Sequence, residues 1–214
     1  MAAVERCRFR GSLLGALIGD CLGSLFEGHE NVSLEGVLTF LRDLESRRDE
    51  GLMYTDDTAM ARSVVRSLLE KPTFDEKDLA ERLELGEFPY CNRLKKIKEF
   101  LHKGNVSCRE VVDELGHGIA ALESVPTAIY SFLRCLDPVD DLPKEMNSLQ
   151  RTIIFCILLG GDTDTIATMA GAVAGAYHGE EQVPEIWKKK SEGYRDAEDW
   201  GKKLWELYNS RLPS

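Results

Sequence analysis

The 214-residue sequence predicts an all-α fold in a single domain. Apolar residues recur three and four positions apart, the spacing that places them on one face of a helix. Val64, Leu68, Val111 and Leu115 belong to such series, and no stretch alternates apolar with polar residues as a half-buried strand does. Most of the prolines fall between the helical segments, where the lack of an N–H does least harm.

The helical segments follow one another along the whole chain, and two of them carry glycine at every fourth position. Between the glycine-rich segments and after them, helices are predicted near residues 37–44, 60–69, 92–101, 111–119, 125–136, 149–159 and 197–208. The glycine stripes are Gly11, Gly15, Gly19 and Gly23 in the first segment and Gly171, Gly175 and Gly179 in the other. Each glycine costs a helix about 1 kcal/mol relative to alanine. Two such stripes therefore predict helices whose backbones pack closely in a soluble core.

The composition argues against several classes of protein. The formal net charge of −10 argues against direct DNA binding through many phosphate contacts. Asp20, Asp162 and Asp164 interrupt the two most apolar stretches, so neither reaches the roughly 18 uncharged residues of a membrane span. The six cysteines form no Cys-x-x-Cys pair, and we expect reduced thiols inside the cell.

Two short segments concentrate carboxylates and hydroxyls directly before a predicted helix. Residues 54–58 read YTDDT, and residues 160–165 read GGDTDT. Asp and Thr are common N-caps and the helix dipole favours acidic side chains, so capping alone is one interpretation of either motif. A cap needs one oxygen, however, and together these segments supply four carboxylates and several hydroxyls.

Carboxylates this dense favour a bound cation. Close to one another in apolar surroundings, they repel and lose hydration, which raises the pKa of at least one of them. Neither segment contains Lys or Arg, so a divalent ion is the simplest partner, and oxygen ligands favour Mg²⁺, Ca²⁺ or Mn²⁺ over zinc. If the segments converge, the residues that could bridge two ions are Thr55, Asp56, Asp57, Asp162, Asp164 and Thr165.

Longer stretches around these motifs carry a family resemblance. GDCLGSLFEGHE begins at Gly19, YTDDTAMA at Tyr54 and GGDTDTIATMAGAVAGA at Gly160. Together they resemble the ADP-ribosylglycohydrolase family, and LGHGIAALESVPTAIYSFLRCL and NSLQRTIIF resemble its branch that removes ADP-ribose from serine and degrades poly(ADP-ribose). The resemblance covers nearly the whole chain. It implies an orthogonal multi-helical domain, two Mg²⁺ ions and hydrolysis at the anomeric carbon of the distal ribose.

The resemblance also implies roles for individual residues. The implied metal ligands are Glu27, Thr55, Asp56, Asp57, Asp162, Asp164 and Thr165. Glu27 matches an acidic residue on a mobile loop and is an implied catalytic residue, with a solvated loop carboxylate and the nearby Glu30 as alternatives. Asp56 is the other implied catalytic residue, and Asp164 could also activate water. Asp56, Leu85 and Ile119 match substrate-binding positions, although core packing is the alternative for Leu85 and Ile119.

The chain departs from the family after the YTDDTAMA helix. Members of this branch carry a long middle region there, with a glycine-rich loop that cradles the diphosphate and ribose. Here KPTFDEKDLAERL leads directly into ELGEFPYCNRLKKIKEF, so an internal deletion is predicted near residues 83–85 of a shortened domain that spans residues 1–214. Backbone donors and an aromatic partner for the substrate would then be absent, and we expect weakened turnover or none.

The expected activity is Mg²⁺-dependent release of ADP-ribose from serine and from poly(ADP-ribose). The expected partners are ADP-ribose, ADP-ribosylated proteins and poly(ADP-ribose), with no DNA or membrane. We expect a monomer in the cytoplasm, the nucleus or the mitochondrial matrix, with a part in the DNA damage response. Two alternatives stay open: a non-catalytic ADP-ribose-binding or regulatory form, and a helical module whose acidic motifs only cap helices.

Overall fold

A computed structural model describes residues 5–44, 51–70 and 89–211. The helices of these ranges are α1 (Arg6–Gly23), α2 (Leu34–Leu44), α3 (Asp56–Glu70), α4 (Pro89–Lys103), α5 (Cys108–Leu115), α6 (Ala121–Arg134), α7 (Ser148–Leu159), α8 (Thr163–His178), α9 (Glu185–Lys190) and α10 (Tyr194–Asn209), with a 3₁₀ turn at Glu180–Gln182. Within the described ranges, β-pairing is confined to one isolated bridge between Leu52 and Ser191. The predicted all-α fold is therefore confirmed.

Local sequence explains where several helices begin and end. The side chains of Asn147 and Gln150 each accept a hydrogen bond from the other residue's backbone N–H, a capping box at the start of α7. Helix α5 begins at a Ser107 cap and ends at Leu115, because Gly116 turns the chain with a φ of 85°. The predicted helix over residues 111–119 is thus wrong after Leu115. None of the helices in the described part of the chain is long and apolar enough to cross a membrane.

Helices α1 and α8 lie at the centre of the fold and pack through their glycines. A Cβ atom on Gly15 would overlap the carbonyl oxygen of Gly171, and a Cβ on Gly175 would overlap that of Gly11. Side chains flanking this contact, such as Leu14 and Ile18, are fully buried. The close backbone contact predicted from the two glycine stripes is confirmed.

The same contact fixes which helix ends meet. Helices α1 and α8 run antiparallel, so Gly11 faces the C-terminal end of α8 and Gly23 faces its first turn. The Thr163 hydroxyl donates to the carbonyl oxygen of Gly23 over 2.8 Å. This register places the segment that follows α1 beside the GGDTDT motif.

Gly15→Ala is expected to lower the free energy of unfolding by more than about 2 kcal/mol, because the added methyl group cannot fit without separating α1 from α8. Urea unfolding monitored by circular dichroism measures the change. Gly36→Ala in α2 is the matched control, since its Cβ would approach only the Ser33 side-chain oxygen, at 3.0 Å. Equal losses in the two variants would contradict the close-packing account.

Candidate metal centre

Carboxylates from three parts of the chain meet where α1 ends and where α3 and α8 begin. One oxygen from each of Asp20, Asp57 and Asp164 lies within 4.8 Å of the others, and the same holds for Glu27, Asp162 and Asp164. We call these five residues the acidic centre. The Thr165 hydroxyl also donates to Asp57 Oδ2 over 3.1 Å, which links α8 directly to α3. The two acidic motifs therefore converge, as the sequence analysis required for a shared site.

Backbone hydrogen bonds hold the Glu27 loop against the GGDTDT motif. Gly28 N–H donates to the carbonyl of Gly161, and Gly161 N–H donates to the carbonyl of His29, at 3.0 and 3.1 Å. A φ of 70° at both Gly160 and Gly161 permits this arrangement, which a side chain would strain. Glu27 itself is exposed on this loop, with its carboxylate beside Asp162 and Asp164.

The loop between α5 and α6 forms another wall of this region. His117 accepts a hydrogen bond from Asp162 N–H through its carbonyl, and its Nδ1 lies 2.8 Å from the carbonyl of Leu159. Ile119, on the same loop, is 84% exposed, so the core-packing alternative is wrong for it. Its substrate-binding role stays a prediction. Leu85 lies outside the described residues.

Asp20 belongs to the acidic centre although the sequence reasoning gave it no role in the site. Its side chain is fully buried within α1 and accepts hydrogen bonds from Thr55 N–H, the Thr55 hydroxyl and Thr58 N–H. Asp20 thus caps the start of α3 from another helix. A lone aspartate inside an apolar, glycine-rich helix is the sequence signal that could have identified it, because an unpaired carboxylate would be costly there.

Burial and mutual repulsion raise the pKa values of several carboxylates in the acidic centre. Burial raises the pKa of Asp57 to about 6, and burial together with the neighbouring Asp164 raises the pKa of Asp162 to about 6 as well. The negative charge of Asp164 is the largest cause that raises the pKa of Glu27. Raised pKa values among these carboxylates were expected from their density, and this expectation is confirmed.

The donor set fits a hard divalent cation. In the described part of the chain, Asp162 Oδ2 is buried and has no hydrogen-bond partner, so this oxygen is available to bind a ligand. Thr55 donates its hydroxyl proton to Asp20 and Thr165 donates its own to Asp57. Because a hydroxyl that donates its one proton keeps lone pairs for a cation, both threonines are suited to be neutral ligands.

Asp56 differs from the other carboxylates predicted for the site. It is exposed on the first turn of α3 and, among the described acidic residues, belongs to neither group of converging oxygens. Its charge nevertheless contributes to the raised pKa of Glu27. Asp56 therefore lies near enough to the acidic centre to influence it, and its assignment as ligand and catalytic residue stays a prediction.

The chain matches a known protein family and is similar in sequence to named members of it. A family model described as ADP-ribosylglycohydrolase matches residues 1–93 and 85–213. ADP-ribosylhydrolase ARH3 of Xenopus tropicalis is 39% identical over 347 residues, covering 100% of this chain and 99% of that protein. ADP-ribosylhydrolase ARH3 of Homo sapiens is 35% identical over 345 residues, covering 97% and 95%. Both alignments are longer than the 214-residue chain, so parts of these relatives have no counterpart in it.

A solved structure supports the same fold. A chain of an ADP-ribosylglycohydrolase-related protein complex superposes with a TM-score of 0.53 and is 20% identical in sequence. The superposition covers 94% of this chain and 98% of the other. At this identity the likeness concerns the arrangement of helices.

Without metal, the wild type is expected to lose stability relative to Asp57→Asn as the pH rises from about 4 to about 6. The folded-state pKa of Asp57 is raised above its unfolded value, so the contribution of the protonated carboxyl is complete below about pH 4 and is lost as the pH passes about 6. Asparagine does not titrate. Urea unfolding of both proteins in chelator between pH 4 and 8 measures the difference, and a pH-independent difference would contradict the assigned burial.

Proposed function

Since this chain belongs to the ADP-ribosylglycohydrolase family, whose relatives indicate a glycosidic-bond hydrolase, we propose that it releases ADP-ribose from serine and from poly(ADP-ribose). The single observation that carries the proposal is the convergence of carboxylates from three parts of the chain at one centre. The family is metal-dependent, and these oxygen donors suit Mg²⁺. The proposed substrates are ADP-ribosylated proteins and poly(ADP-ribose).

We propose two Mg²⁺ ions as the cofactor. The proposed ligands are Glu27, Thr55, Asp56, Asp57, Asp162, Asp164 and Thr165. Asp164 belongs to both groups of converging oxygens, so its carboxylate would be available as a ligand in either group. Bound Mg²⁺ would hold the 2″ and 3″ hydroxyls of the distal ribose and fix the ring for attack at its anomeric carbon.

The chain's own residues would then supply proton transfer. Glu27 is exposed to incoming water, and its carboxylate lies beside Asp162 and Asp164, so it is placed to accept a proton at the centre. Water deprotonated by Glu27 would attack C1″ as the bond from C1″ to the serine oxygen or to the next ribose breaks. The proton taken up by Glu27 would then pass to the departing oxygen. The hydrogen bonds between Gly28, His29 and Gly161 hold the Glu27 loop at the centre during this step.

We propose that the chain lacks the family's middle region, with the junction near residues 83–85. The support is that the alignments with relatives exceed the chain's length and that the family model matches in two segments, which overlap over residues 85–93. Without the donors of that region, the diphosphate and adenine would be held less firmly. Turnover is therefore proposed to be weaker than that of full-length relatives.

The same observation favours a second candidate function. If substrate is no longer positioned over the acidic centre, the chain acts as a non-catalytic ADP-ribose-binding or regulatory form. Binding of ADP-ribose without hydrolysis distinguishes this candidate from the enzyme. For either function we propose a monomer that acts in the cytoplasm, the nucleus or the mitochondrial matrix.

Purified chain is expected to release ADP-ribose from a serine-ADP-ribosylated peptide with Mg²⁺ and not with chelator, at a rate at least tenfold below that of a full-length relative. The double variant Asp56→Asn, Asp57→Asn is expected to lose both the release and the rise in melting temperature that Mg²⁺ produces in the wild type. Chromatographic quantification of free ADP-ribose and a melting curve in each condition provide the measurements.

Asp140→Asn, Asp141→Asn is the matched control, because it also neutralises two adjacent aspartates, both exposed and outside the acidic centre. It is expected to behave as the wild type. Release that persists in chelator would contradict the proposed metal dependence. A rate equal to that of a full-length relative would contradict the proposed effect of the missing region.

A further inference from the structure

We infer that Asp20 is a positioning residue, which holds the first turn of α3, and with it Asp57, in register with the start of α8. The inference rests on the proposed function, because it concerns the geometry of the same centre. Asp20 belongs to neither acidic motif and lies 35 residues before Thr55 in the chain.

Both carboxylate oxygens of Asp20 accept hydrogen bonds from the start of α3. Its Oδ1 accepts from Thr55 N–H at 3.0 Å and from the Thr55 hydroxyl at 2.8 Å. Its Oδ2 accepts from Thr55 N–H at 3.0 Å and from Thr58 N–H at 2.9 Å. Three hydrogens, two from Thr55 and one from Thr58, therefore tie both oxygens of Asp20 to α3. One of these oxygens also lies within 4.8 Å of an oxygen of Asp57 and of Asp164.

The position of Asp20 in α1 makes this cap rigid. The preceding Gly19 packs its backbone against that of Ala167 in α8, and the Asp20 side chain is fully buried. Helix α1 therefore joins α8 on one side and the first turn of α3 on the other. A displacement of this turn would move Asp57 away from the Thr165 hydroxyl that donates to it.

The hydrogen bond to Asp20 also orients the Thr55 hydroxyl for its proposed role as a metal ligand. By accepting the hydroxyl proton of Thr55, Asp20 orients the lone pairs of that oxygen away from itself. Partners of this kind, which orient ligands without contacting the metal, typically contribute tenfold to a hundredfold to metal affinity. Asp20 should therefore influence cation binding without contacting the cation.

The test compares the wild type with Asp20→Asn, using Mg²⁺ titration calorimetry and amide hydrogen exchange. In Asp20→Asn we expect Mg²⁺ affinity to fall at least tenfold and the Thr55 and Thr58 amides to exchange faster. Ile18→Val is the matched control, a fully buried change in the same helix that leaves the cap intact. It should alter neither readout, whereas a merely structural role for Asp20 would leave Mg²⁺ affinity unchanged in any folded variant.

If Asp20→Asn does not fold, Asp20→Ser, which is smaller and carries no amide donor, serves in its place. Mg²⁺ affinity within twofold of the wild type, or unchanged exchange at Thr55 and Thr58, would overturn the role assigned to Asp20. A folded wild type that binds no Mg²⁺ would instead overturn the proposed function, and exchange at the two amides would then show separately whether Asp20 holds α3.

Discussion

The site depends first on the close backbone contact between α1 and α8. Glycine at four-residue intervals lets the two helices approach so closely that a methyl group at Gly15 or Gly171 would overlap the opposite backbone. Because the helices run antiparallel, this contact brings the end of α1 to the beginning of α8. Asp20 and the Glu27 loop thereby reach the GGDTDT motif, which follows them by more than a hundred residues in the chain.

The same packing crowds the carboxylates of the acidic centre together and buries several of them. Burial and repulsion raise the pKa of Asp57, Asp162 and Glu27, so without a cation the folded chain carries a cost that its sequence does not relieve with lysine or arginine inside the motifs. The Asp20 cap and the Asp57–Thr165 hydrogen bond orient the donors in spite of this cost. A divalent ion would compensate this charge, which is the physical basis of the proposed hydrolase function.

Patterns confined to one helix or one motif were predictable from the sequence. The four-residue spacing of glycine predicted close backbone packing of helices, and the density of Asp and Thr indicated a bound cation, with a shared site if the two motifs converge. Features that depend on how separate segments meet were not predictable. The role of Asp20 requires the register between α1 and the start of α3, and the exposure of Ile119 follows from the turn at Gly116 that ends α5.

A crystal structure with Mn²⁺, recorded with anomalous scattering, tests most directly whether this packing builds a cation centre. Mn²⁺ is chosen because it accepts the same oxygen ligands as Mg²⁺. The account predicts two anomalous peaks among Asp57, Asp162 and Asp164, with the Thr55 and Thr165 oxygens directed toward them. Crystals that bind Mn²⁺ only elsewhere, with no peak at these carboxylates, would contradict it.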